Sequence, residues 1–140
     1  MTAEQTVRAF LEHLARAETE AALALLDPEV EWRNTAMPTF RGARVHQMIG
    51  DMERRGVGFD VRWHHVAATD DPAEPDQADE ATVLTDRTDV IRYSGWETSF
   101  RVRGTFTVRE GRITLWDDAF SWLELLGSGL VGLGKVLTSR

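Results

Sequence analysis

The chain has 140 residues, 42% of them hydrophobic, enough for one domain with its own core. Its 16 basic and 23 acidic residues give a net charge of −7, which repels phosphate backbones and argues against a nucleic-acid partner. There is no cysteine, so disulfides and thiolate metal sites are excluded, and no apolar run nears the roughly 20 residues of a membrane span. The opening stretch MTAEQTVRAF is polar and acidic, where a signal peptide would be basic and then apolar, so a cytoplasmic location is expected.

Met1 to Asp27 reads as helical. Thr2 with Gln5 has the form of a capping box, and Val7, Phe10, Leu11 and Leu14 recur at helical spacing. A second helical pattern carries Ala22, Leu23 and Leu26 and ends at Asp27-Pro28. Val30 to Asn34 alternates as a short strand with Val30, Trp32 and Asn34 on one face. Met37 to Gly42 reads as a loop, and Val45, Met48, Ile49 and Met52 mark a helix stopped by Gly56.

The period then changes to 2, with strands expected at Gly58 to Ala67, Thr82 to Tyr93, Ser99 to Arg109 and Ile113 to Phe120. In the third, Phe100, Val102, Gly104, Phe106 and Val108 share a dry face opposite Arg101, Arg103, Thr105, Thr107 and Arg109. Gly104, mid-strand on the dry face, either permits a bend or leaves room for a ligand. Glu110-Gly111 is a hairpin turn. Thr69 to Glu80 holds six acids, two prolines and no base, which reads as a solvated loop. After Phe120 the apolar tail, residues 123 to 140, interrupted by Gly127, Gly129, Gly132 and Gly134, reads as a short helix followed by a loose segment that closes a pocket or packs on a second subunit. Helices followed by antiparallel strands make an α+β domain, with helices across the mouth of a bent sheet that forms a pocket-holding cone.

Polar residues on dry faces carry the functional information, because burying them is costly without a partner. Arg87 and Asp89 lie two apart in a strand, so they face the same way with Cα atoms about 7 Å apart. Their face also holds Val83, Thr85, Ile91 and Tyr93, which makes it the inner one. Asp118 shares its face with Trp116 and Phe120, and Asn34 ends the apolar face of the first strand. Singly, each has an ordinary structural explanation: a solvated ion pair, a turn residue or a cap. His64 and His65 are adjacent and face opposite ways, His13 and His46 lack partners at ligand spacing, and Gly56-x-Gly58 lacks the context of a phosphate loop. No metal site is expected.

Together, WRNTAMP (Trp32 to Pro38), VLTDRTDV (Val83 to Val90) and EGRITLWDDAF (Glu110 to Phe120) resemble the limonene-1,2-epoxide hydrolase family of the NTF2-like, or SnoaL-like, superfamily. The likeness spans roughly Val7 to Trp122. It implies a cone-shaped α+β domain, a cofactor-free addition of water to an epoxide, and a homodimer. Carried over by motif, Asp118 would be the general base, Asn34 would hold the attacking water, Asp89 would be the general acid, and Arg87 would bond both carboxylates. The family places a tyrosine two residues before the asparagine; here Trp32 stands there, and an indole can donate but not accept. Pocket walls are expected from Trp32, Met37, Phe40, Met48, Met52 and Ile91, and from Phe100, Val102, Phe106, Phe120 and Trp122, with Tyr93 within reach; methionines would suit a bulky terpene-like or lipid-like epoxide. Two other readings fit the same residues: a SnoaL-like cyclase or isomerase in which an aspartate deprotonates a substrate carbon or hydroxyl, and a non-catalytic module that binds a small ligand or dimerises.

Overall fold

The computed structural model describes residues 1–69 and 80–128. Helix α1 (Ala3–Ala15) opens with the expected capping box: Thr2 Oγ1 accepts from the Gln5 N–H at 3.1 Å and Gln5 Oε1 from the Thr2 N–H at 2.9 Å. It buries Val7, Phe10 and Leu11. The helical stretch is shorter than expected. It breaks at Ala17 (φ 57°), resumes only as α2 (Thr19–Leu23), and Leu26 already belongs to strand β1 (Leu26–Asn34). Two forces oppose a helix reaching Asp27: the residue before Pro28 is biased to extended backbone, and a strand partner exists, with Leu26 beside Ile113.

The stretch Met37 to Gly42, read as loop, includes the two-residue strand β2 (Phe40–Arg41), antiparallel to β1. Helix α3 (Ala43–Arg54) follows and buries Val45 and Ile49. Then come β3 (Gly58–Ala68), β4 (Glu80–Tyr93), β5 (Trp96–Arg109) and β6 (Arg112–Phe120), each antiparallel to the next. Glu110 and Gly111 both have positive φ (51° and 77°), as a two-residue hairpin turn that matches strand twist requires. β6 comes back to lie parallel to β1, giving the order β2-β1-β6-β5-β4-β3. The acidic stretch, apart from its flanks Thr69 and Glu80, and the chain after residue 128 lie outside the described residues. No described helix is long and apolar enough to cross a membrane.

The curved sheet is dry on its inner face. On β5 the five residues Phe100, Val102, Gly104, Phe106 and Val108 are all buried, as their alternation predicts. α1 lies across β3 to β6, and its Phe10 presents an edge to Trp116, 5.0 Å between centroids and 81° between planes. Pairing lines up one inner row, Asn34, Asp118, Gly104 and Thr85, across β1, β6, β5 and β4, beside a second of Trp32, Trp116, Phe106 and Val83. Because Phe10 is wholly buried and braces the second row, Phe10→Ala is expected to cost about 3–5 kcal/mol, read as a lower urea midpoint. An unchanged midpoint would remove α1 from the support of the sheet.

Candidate active site

Three charged side chains meet on the inner face. Arg87 is fully buried, while Asp89 and Asp118 are 6% and 5% exposed. The Arg87 Nε donates to Asp89 Oδ1 at 2.9 Å and its Nη2 to Asp89 Oδ2 at 3.2 Å; Nη2 also donates to Asp118 Oδ2 at 2.7 Å. Nη1 is held by Thr85 Oγ1 at 2.8 Å, and that hydroxyl donates to the Gly104 carbonyl at 3.1 Å. The guanidinium rests over the Phe106 ring, 5.7 Å from its centroid, so it is shielded from water and saturated by anions. Strand parity put Arg87 and Asp89 on one face, and that is where they lie.

Both carboxylates, but not Arg87, reach an apolar cavity of about 440 Å³ that Asn34 also lines. Asn34 and Asp118 are register partners on β1 and β6. Asp118 Oδ2 is further fixed by Trp116 Nε1, which donates at 2.8 Å, whereas Oδ1 is buried with no hydrogen-bond partner. Trp116 stacks on Trp32 (4.2 Å, 11°), which in turn tilts against Phe40 at 6.1 Å. The Trp32 indole therefore braces the tryptophan that holds Asp118, and its own Nε1 is buried without a partner.

The electrostatics single out Asp89. Burial, reinforced by the Asp118 charge and opposed by Arg87, pushes Asp89 up to about 6. Burial works against the Arg87 charge, but Asp118 and Asp89 outweigh it and raise its pKa. A carboxyl with a raised pKa beside a second carboxyl, the two bridged by one cation, is an arrangement suited to acid–base chemistry. No group of three or more His, Cys, Asp or Glu side chains suited to a metal occurs among the described residues.

Of the expected walls, Trp32, Met37, Phe40, Met48, Met52, Ile91, Phe100, Val102, Phe120 and Trp122 line the cavity. Tyr93 does not: it is 52% exposed at the last position of β4, next to the Ser94-Gly95 turn and beyond the rim. Phe106 does not either, being wholly buried behind the site under Arg87. Leu14, Ile49, Val57, Phe59, Trp116 and Leu125 also line it. Leu14, Ile49 and Trp116 sat on faces that the periodicity marked as apolar, whereas Val57 and Phe59 gave no signal. Residues 122–128 are helical; Trp122 and Leu125 face the cavity, and the segment is fastened by Trp122 Nε1 to the Thr35 carbonyl and by Thr98 Oγ1 to the Leu125 carbonyl, each 2.8 Å.

The chain is similar to known proteins over most of its length. The chain is 34% identical over 128 residues to the epoxide hydrolase EphG of Mycobacterium tuberculosis, covering 91% of this chain and 78% of that one. It superposes on the structure of an M. tuberculosis LEH-like epoxide hydrolase with a TM-score of 0.84 at 31% identity, covering 98% and 96% of the two chains. A protein of ketosteroid-isomerase-like fold from Catenulispora acidiphila shares the architecture alone, with a TM-score of 0.69 at 14% identity over 91% and 94% of the chains, and other solved relatives of the fold are described as NTF2-like. Residues 1–130 match the limonene-1,2-epoxide hydrolase catalytic domain, and the chain belongs to that family.

Proposed function

We propose that the protein adds water to an apolar, terpene-like or lipid-like epoxide in one step, giving a vicinal diol, with Asp118 as base and Asp89 as acid. The observation that carries this reading is the pair of cavity-facing carboxylates bridged by one buried guanidinium. Asp118 Oδ2 is committed to Arg87 and Trp116, and Oδ1, buried with no hydrogen-bond partner, is the oxygen left to take the proton once the carboxyl turns to water. Asn34, next to Asp118 in register, holds that water. As the new C–O bond forms, the epoxide C–O bond breaks and its oxygen takes the proton of Asp89. Asp118 ends protonated and Asp89 ionised, so the cluster keeps its net charge while Arg87 stays cationic between them. The proton then returns to Asp89 before the next cycle. Charge moves within a dry site that already contains its counter-ion, which is electrostatic preorganisation.

Asp118→Asn, Asp89→Asn and Arg87→Ala are each expected to lose activity toward a panel of cyclic, terpene and styrene-type epoxides, by about 100-fold or more, with a native circular-dichroism spectrum. Activity retained in Asp118→Asn would end the base assignment. Wild-type protein forming no diol from any panel member would favour the cyclase or binding readings.

The pH response follows from Asp89. Its folded pKa, about 6, lies above the ordinary carboxylate value, so bound proton stabilises the fold at low pH and that stabilisation is lost as pH rises through about 6. The acid is lost in the same window, so kcat/KM should fall there too. Asp89→Asn carries no charge to bury. Its melting temperature is therefore expected to gain on the wild type between about pH 5 and about pH 8, while its activity is gone at both. A constant difference in melting temperature would refute the raised pKa.

A further inference from the structure

Gly104 stands in the middle of β5, between Thr85 of β4 and Asp118 of β6 in the pairing register. Its backbone does not call for glycine. The described glycines at positive φ are Gly42, Gly56, Gly95 and Gly111, and Gly104 pairs regularly with both neighbouring strands. An interior strand position favours a residue with a side chain, which has less conformational freedom to lose. What the position lacks is room. A Cβ built there would stand 2.4 Å from Arg87 Nη1, 2.5 Å from Asp118 Oδ1 and 2.9 Å from Thr85 Oγ1. None of the three has an easy escape: Nη1 is bonded to Thr85, the Arg87 head is bonded to both aspartates, and Asp118 is bonded to Arg87 and Trp116.

We infer that Gly104 is a positioning residue for the acid–base pair: the missing side chain is the space through which the Arg87 guanidinium crosses β5 to reach Asp118. The register explains why a gap is needed. Arg87 is paired with Val102 on β5, and Asp118 with Gly104, so the ion pair runs diagonally across the sheet over the one dry-face residue of β5 that has no side chain. A methyl group there would push the guanidinium and the Asp118 carboxylate apart. It would also crowd Oδ1, the acceptor oxygen. The dry-face glycine thus serves the catalytic carboxylate and its cation, not a ligand and not a bend.

The test has two arms. The first is a thermal-melting cycle of wild type, Gly104→Ala, Arg87→Ala and the double variant, which reads the geometry whatever the reaction. Gly104→Ala is expected to lower the melting temperature by about 5 °C or more in the wild-type background, and by much less or not at all once Arg87 is gone and Asp118 can swing aside. Should Gly104→Ala fail to fold, a folded double variant carries the same meaning. An equal loss in both backgrounds, or failure of both to fold, would overturn the inference in favour of a backbone role.

The second arm rests on the hydrolase reading. For folded Gly104→Ala, kcat on an accepted epoxide should drop about 100-fold, the scale of a misplacement near 1 Å, with KM little changed because the apolar walls are intact. Unchanged kcat would overturn the positioning role even if the melting cycle shows coupling. A wild type without epoxide turnover would instead sink the hydrolase reading and leave the melting cycle to judge the geometry.

Discussion

A fully buried arginine is among the costliest side chains to place, and the inner face of this sheet is organised around making one possible. Removing a guanidinium from water is repaid only by close opposite charges and a full set of hydrogen bonds. Arg87 has both: two carboxylates and the Thr85 hydroxyl occupy its nitrogens, and an aromatic face lies beneath it. The cost falls on the carboxylates in turn. Burial, with the Asp118 charge beside it and Arg87 opposing, raises the pKa of Asp89. What makes the site expensive is also what suits it to the proposed chemistry, in which one carboxyl gives a proton while the other takes one.

Around that cluster the elements divide the work. The central strands supply the triad, and the register of β5 with β6 decides that the cation and Asp118 meet over a glycine. The aromatic row Trp32, Trp116 and Phe106, braced by Phe10, fixes Asp118 through one indole N–H. α3 and the helical residues 122–128 contribute Met48, Met52, Trp122 and Leu125 to the cavity wall. Trp32 serves that wall by stacking on Trp116 and Phe40, since an indole N–H can donate but not accept.

Much of this was legible in the residues because strand parity is a strict geometric rule. Arg87 and Asp89 two apart must share a face, and the clean alternation of β5 marks that face as dry. Where the reading went astray, a nonlocal quantity decided. Alternation says which face Tyr93 and Phe106 occupy, but not that the first lies past the rim or that the second lies behind the arginine. The helix expected up to Asp27 lost to pairing with Ile113, nearly ninety residues on. Gly104 pointed to a bend or to room for a ligand, and only register brings Arg87 and Asp118 to it. The bond from Trp116 to Asp118 depends on a rotamer that no spacing encodes.

The proposed reaction turns on direct attack of the epoxide by water that Asn34 holds and Asp118 deprotonates. A single turnover in ¹⁸O-labelled water, with enzyme in excess over an accepted epoxide, tests it most closely. One labelled oxygen is expected in the diol from that first turnover. Unlabelled diol, with the label appearing only in later turnovers, would mean that a protein carboxylate attacks first through a covalent intermediate, and would contradict it.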